Sequence, residues 1–244
     1  MTSSKPIQFV ATLLLALLLL AACGGDEPSP DAASAPESSA PAQPATAQPA
    51  TALPAAAVEL PGDPKAAVLQ AMRAQMSAGP YRTTTTITMD DGVQTAVGTV
   101  ILPDRMQIAM DLGGMKTEMI YIGDKVWSRQ GDGEWQVADR MGTPGAGLLD
   151  ESMIADSEAT ITAAALVGPE VVEGVAALLY TFTTDLNKST VMPMDSIMQT
   201  KVWIDAATGL VIRQETTDST AGTPSTTVQV VEYDPSITIE APAE

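Results

Sequence analysis

From Tyr81 to Ala138 apolar and polar residues alternate with a period of two, and short turn pairs break the alternation. That period marks strands with one buried face. The breaks are Asp91-Gly92, Pro103-Asp104, Gly113-Gly114, Gly123-Asp124 and Gly131-Asp132-Gly133, combinations that favour hairpins and tight turns. Loop length fixes which residues share a face, because side chains alternate sides along a strand. Two-residue loops at Pro103-Asp104, Gly113-Gly114 and Gly123-Asp124 set Ile101 against Met106, Ile108 against Met119, Met106 against Tyr121 and Glu118 against Arg129. One apolar face then carries Val93, Val97, Ile101, Met106, Ile108, Met110, Leu112, Met115, Met119, Tyr121 and Val126. The other carries Arg105, Gln107, Lys116, Glu118, Lys125 and Arg129, interrupted by Val100, Ile120 and Trp127. The first strand fits less well: Thr84, Thr86 and Thr88 land on the apolar face and Ile87 and Met89 outside it.

A helix precedes these strands. Asp63 suits its N-cap, Pro64 its first position, and Gly79-Pro80 its stop. Val68, Leu69, Met72 and Met76 form one apolar stripe on it. Further strands are predicted at about 175–184, 198–204, 210–217 and 226–234, with Leu186–Ser196 as a loop over one opening. A sheet with one apolar and one polar side must be covered on the apolar side. The cover falls to the N-terminal helix and to Gly142–Val167, where Leu148, Leu149, Met153 and Ile154 suggest short helices. The predicted class is therefore α+β, mainly antiparallel β, in one domain over residues 63–240.

Ahead of this domain stand two segments of other character. Residues 1–22 have one cation at Lys5, an apolar run from Ile7 to Leu20, and Ala21-Ala22, the layout of a signal peptide. Leu20-Ala21-Ala22-Cys23-Gly24 resembles the lipobox of bacterial lipoproteins. That resemblance implies diacylglycerol transfer to Cys23, cleavage before it, and a further acyl chain such as palmitate on the new amino group. Two or three chains give lasting membrane attachment. Cys23 is the sole cysteine, so no disulfide forms within the chain. A plain secreted protein with a cysteine near its cleavage site is the other reading. Residues 23–62 are rich in Pro and Ala, lack Lys and Arg, and hold almost no large apolar side chains. Such a segment is expected to stay disordered and act as a tether.

Charge and residue inventory narrow the chemistry. A net charge of −18 repels phosphates and argues against nucleic acid. The absence of histidine, with a single cysteine, removes the usual ligands of zinc, copper and haem and excludes Ser-His-Asp and Cys-His catalysis. No metal, cofactor or catalytic residue is expected. Asp90-Asp91-Gly92 and Gly131-Asp132-Gly133-Glu134 read as turns. The chain reads as a binder, not an enzyme.

Lys201-Val-Trp-Ile-Asp-Ala-Ala-Thr-Gly-Leu-Val-Ile-Arg213, Met119-Ile-Tyr-Ile-Gly-Asp-Lys-Val-Trp127 and Gly133-Glu-Trp135 resemble strand–turn–strand segments of the LolA/LolB-like lipoprotein fold, which includes LppX and LprG. The resemblance implies a strongly curved, incomplete β-barrel around helices, with an apolar cavity for acyl chains. Other members of this fold sense envelope stress. LolA-type carriers are soluble, whereas this chain has a lipobox. No ligand-binding residue carries over from the family.

Two readings of the apolar face follow. Methionine adapts to varied apolar partners, so Val97, Ile101, Met106, Ile108, Met110, Leu112, Met115, Met119 and Tyr121 are the candidate surface for a hydrophobic ligand. Taken on their pattern alone, they fill a core under helices. Trp127, Trp135 and Trp203 either rim a cavity mouth or pack on the sheet. The expected function is an envelope lipoprotein that binds or carries lipid, lipoprotein or another hydrophobic cargo. The alternative is a signalling or assembly lipoprotein that takes an envelope protein on its sheet surface. Its place would be the outer face of the cytoplasmic membrane or the outer membrane; Gly24 after the cysteine is compatible with the latter.

Overall fold

The structure, a computed structural model, describes residues 58–90, 92–112, 114–140, 150–191, 193–218 and 225–243. Cys23, the signal peptide and most of the tether lie outside the described residues, as do Leu148 and Leu149. The first helix, α1 (Pro64–Ser77), begins where the sequence says. Asp63 Oδ1 accepts the Ala66 N–H at 2.8 Å, and Gly79 with φ +87° ends the turn before Pro80. Six strands follow: β1 (Tyr81–Met89), β2 (Gly92–Ile101), β3 (Arg105–Leu112), β4 (Met115–Ile122), β5 (Lys125–Gln130) and β6 (Gln136–Asp139). Then come α2 (Glu151–Thr160), β7 (Ile161–Val172), β8 (Val175–Asp185), β9 (Ile197–Asp205), β10 (Val211–Asp218) and β11 (Ser225–Tyr233).

All eleven strands form one antiparallel sheet in the order β6-β5-β4-β3-β2-β1-β11-β10-β9-β8-β7. Among the described residues its two edges, β6 and β7, do not pair, so the sheet is open. It fits a curved sheet, since inward side chains of β3, β2, β1, β11 and β10 line one concave space.

Two hairpins have the predicted register. Across β3–β4, Ile108 pairs with Met119 and Met106 with Tyr121; across β4–β5, Tyr121 pairs with Val126 and Glu118 with Arg129. The last pair closes an ion pair at 2.8 Å. At the β2–β3 turn the prediction is off by one residue. Ile101 pairs with Arg105 and Val100 with Met106, so the loop holds three residues, Leu102-Pro103-Asp104. An odd shift turns the preceding strand over. Val97 and Ile101 therefore lie on the face opposite Met106, as does Val93; Val93 and Val97 are 59% and 39% exposed. Ala96, Gly98 and Val100 take the inner positions.

The strand before it turns with β2, bringing Tyr81 and Ile87 inward and Thr84, Thr86 and Thr88 outward. Burying Tyr81, Ile87 and Val100, with Leu102 packed beside them, outweighs leaving Val93, Val97 and Ile101 outside. Each buried large side chain contributes about 1.5–3 kcal/mol. The poor fit of the first strand was the trace of this slip.

A second correction concerns Gly142–Val167, expected to be helical cover. Only Glu151–Thr160 is helix among its described residues; from Ile161 the chain is the edge strand β7. Gly168 and Pro169 disguise that strand in the sequence. An edge position tolerates proline because one side of the strand needs no ladder bond.

Helices and sheet share two cores on one face, the inner one. Val68, Leu69, Ala71, Ile154, Tyr180, Val202 and Ile204 form the core under α1 and α2, with Met72, Met76 and Phe182 packed against it. Tyr81, Val100, Met106, Ile108, Met110, Met119, Tyr121 and Val231 form the second, over β2–β4. Asp156 on α2 fastens the loop after β8. It accepts from Ser189 Oγ (2.7 Å), Thr190 N (2.6 Å), Thr190 Oγ1 (2.9 Å) and Val191 N (3.3 Å). Burial raises its pKa, but these four bonds prevail and hold the carboxyl below its usual range.

The β9–β10 turn is built on Asp205. Its side chain accepts from Ala207 N and Thr208 Oγ1, and its carbonyl from the Gly209 N–H, with Gly209 at φ +72°. On this turn Val58 donates to the Ala206 carbonyl at 2.8 Å, while Leu60 packs on the helical core. The last residues of the expected tether are therefore fastened to the sheet.

Met119 is 2% exposed and Met115, four residues earlier on the same face, is 52% exposed. Met119→Ala is expected to lower unfolding free energy by about 2–5 kcal/mol and Met115→Ala by under about 0.5 kcal/mol. Urea denaturation of the two variants checks this; equal losses would contradict the packing. In the same assay Asp156→Ala is expected to cost about 1–3 kcal/mol, as the loop donors lose a charged acceptor.

Candidate ligand site

Three zones divide the inner face along the strand order. Helices α1 and α2 cover the β7–β10 end, and the methionine cluster occupies β2–β4. Between them the middle inward positions of β1, β11 and β10 are polar: Thr83, Thr85, Thr227, Gln229, Gln214 and Thr216. Here a cavity of about 270 Å³ opens, lined by those residues and by Ile87, Ala96, Gly98, Val100, Met106 and Ile108. That volume is just below the usual range of small-molecule pockets, about 300–1,000 Å³.

Gly98 is central to this space. A Cβ built there would meet Thr83 Oγ1 at 2.7 Å, the free end of a rotatable side chain. A larger residue at 98 would therefore push Thr83 aside and fill the cavity, with the backbone left in place.

The polar wall is only half bonded to itself. Gln229 Nε2 donates to Thr85 Oγ1 (3.4 Å), Gln214 Nε2 to Thr216 Oγ1 (3.3 Å), and the hydroxyls of Thr200 and Thr216 stand 3.1 Å apart. Among the described residues, no protein group bonds the hydroxyls of Thr83 and Thr227 or the amide oxygens of Gln214 and Gln229. Water can serve them. Covering them with hydrocarbon alone would cost about 1–3 kcal/mol each.

The residues expected to form a ligand surface thus divide. Met106 and Ile108 line the cavity. Met110, Met119 and Tyr121 sit in the methionine core, Met115 shares their face but is half exposed, and the Leu112 side chain lies outside the described set. Val97 and Ile101 are on the other face. Sequence reasoning missed Thr83, Gln214, Thr227 and Gln229, because a polar inward position looks like an outward one until register is known. Of the tryptophans, Trp127 and Trp203 are on the outer face. Trp203 Nε1 donates to Glu170 Oε2 at 2.7 Å, with the Arg213 guanidinium 5.4 Å above its ring. Trp135 lies 4.6 Å beneath Arg129, whose ion-pair partner Glu118 is on that same outer side. These are packing aromatics.

No family model matches the chain, and no curated protein does. Solved structures do match. The lipoprotein LppX of Mycobacterium tuberculosis superposes with a TM-score of 0.52 at 12% identity, over 72% of this chain and 97% of that one. LprF from Mycobacterium bovis superposes with a TM-score of 0.50 at 14% identity, over 75% of this chain and all of that one, 100%. The fold is the one LppX and LprF share. The likeness read from Lys201–Arg213 and Met119–Trp127 therefore holds at the level of fold.

Three tyrosines border the methionine core. Burial pushes the Tyr81 and Tyr121 phenols up to about 12 against smaller opposing contributions from Gln75 and Arg140, whose guanidinium lies 5.2 Å from the Tyr121 ring. Burial, then repulsion by Tyr81, raises Tyr233, whose ring stands 5.8 Å from that of Tyr81. An unfolded tyrosine ionises near pH 10. The unfolded chain therefore releases these protons first, and stability that is complete below about pH 10 is lost as pH rises toward about 12. Denaturant midpoints at pH 9 and 11, followed with phenolate absorbance, are expected to fall together. A midpoint indifferent to pH would contradict the burial of these phenols.

Proposed function

We propose that this protein is an envelope lipoprotein, acylated at Cys23 and anchored to a membrane, that binds or carries a lipid or another hydrophobic ligand on the inner face of its sheet. One observation carries the ligand reading: an open cavity beside a buried methionine cluster, on the part of the inner face outside the core under α1 and α2. Such a concave, mostly apolar site with a few polar groups is the usual form of a small-molecule pocket. The fold shared with LppX and LprF is compatible with this reading. The lipobox at 20–24 supplies the anchor. No step here calls for catalysis, and we assign the chain a binding role and no reaction.

Two variants test the halves of this proposal separately. Cys23→Ser is expected to remove the acyl mass and release the chain from sedimenting membranes. For the ligand, the full-length chain is extracted from membranes and examined by native mass spectrometry and solvent extraction. Unmodified protein is expected to carry a bound amphiphile that Gly98→Leu largely lacks, while the thermal midpoint moves by only a few degrees. Empty unmodified protein would sink the carrier reading.

A second reading has its own observation. The edge strand β7, with no partner on its outer side among the described residues, presents backbone together with Leu166, Val167 and Val171, which are 50%, 59% and 44% exposed. Such an edge can accept a strand from an envelope protein, the mode of a signalling or assembly lipoprotein. Crosslinking from position 167 to one specific protein, with no lipid in the cavity, would favour it.

A further inference from the structure

The polar wall narrows the class of ligand, on the premise that the inner face binds one. Val100, Met106 and Ile108 give the cavity an apolar side; Thr83, Thr227, Gln214 and Gln229 give it a polar side without charge. A plain hydrocarbon would strip water from two hydroxyls and two amide oxygens that have no partner among the described residues. An anionic head would find no cation in the lining, and the net charge of −18 opposes its approach. Arg140 stacks on Tyr121 and is not part of the lining. A cationic head would find no carboxylate there either.

What matches is a neutral head that both donates and accepts. Threonine hydroxyls do both, glutamine oxygens accept, and each Nε2 has a second proton beyond the one given to Thr85 or Thr216. Hydroxyl groups satisfy all of these at once. We propose that the cavity takes an uncharged, hydroxyl-bearing amphiphile. Its glycerol or sugar head lies against Thr83, Thr227, Gln214 and Gln229, and its aliphatic chain runs along Val100, Met106 and Ile108. The volume suits a head and the first length of one chain. The rest of the chain leaves through the open side of the cavity.

The test uses the full-length protein in its membranes and four photoactivatable probes of one chain length: a monoacylglycerol, an alkyl glucoside, a fatty acid and a headless alkane. Labelled peptides are mapped by mass spectrometry. One or both hydroxylated probes are expected to label peptides of β1–β3 about ten-fold more strongly than the fatty acid or the alkane, a difference equivalent to about 1.4 kcal/mol. Whichever labels better identifies glycerol or sugar as the head. In the Gln214→Leu/Gln229→Leu double variant the alkane is expected to draw level, with thermal unfolding as the control for folding. Equal labelling by all four probes, or a preference for the fatty acid or the alkane, overturns the neutral-head assignment and leaves ligand binding standing. No labelling by any probe overturns both. The comparison on unmodified protein decides the matter even if the double variant does not fold.

Discussion

The register across the β2–β3 turn is the constraint on which the inner face depends. A period-two chain has two faces, and a loop of two or three residues decides which becomes the interior. With three residues in the loop, Tyr81, Ile87 and Val100 join Met106 and Ile108 in one layer. The same choice brings Gly98 and Thr83 inward as a pair. The hydrophobic core and the cavity next to it are thus consequences of one local decision.

That decision also explains which parts were legible in the sequence. The capped helix at Asp63–Ser77, the hairpins at Gly113-Gly114 and Gly123-Asp124, and the Glu118–Arg129 pair each follow from short-range chemistry: a cap, a turn type, a charge opposite a charge. The β2–β3 loop was not legible because Pro103-Asp104 fits a two- or a three-residue turn, and only the sum of burials across β1 and β2 separates them. Strand β7 was hidden for another reason. Ala163-Ala-Ala-Leu166 suits a helix as well as a strand, and it is strand here because its backbone pairs with β8. Local propensity yields to a tertiary partner in such stretches.

The candidate site was the least legible part. Its apolar half, Met106 and Ile108, follows from the alternation. Its polar half comes from Thr83 on β1, Gln214 on β10 and Thr227 and Gln229 on β11, residues up to about 146 positions apart whose neighbourhood exists only once β1 pairs with β11. Nothing in a threonine- and glutamine-rich strand distinguishes a solvated face from the floor of a cavity. The distinction is made by strand order, which no single stretch of chain contains.

The two interruptions in β7 have a further meaning. Its pairing with β8 shifts register between Ile161 and Ala163 and again between Leu166 and Gly168, and Pro169 follows at once. Along the outward side the strand is therefore not a straight template but short runs set at an angle to one another. A copy of the same chain, carrying the same kinks in the reverse order, would meet them out of phase. Bulges and a proline are two of the ways in which a sheet edge is kept from pairing with another edge, and here both fall within one strand.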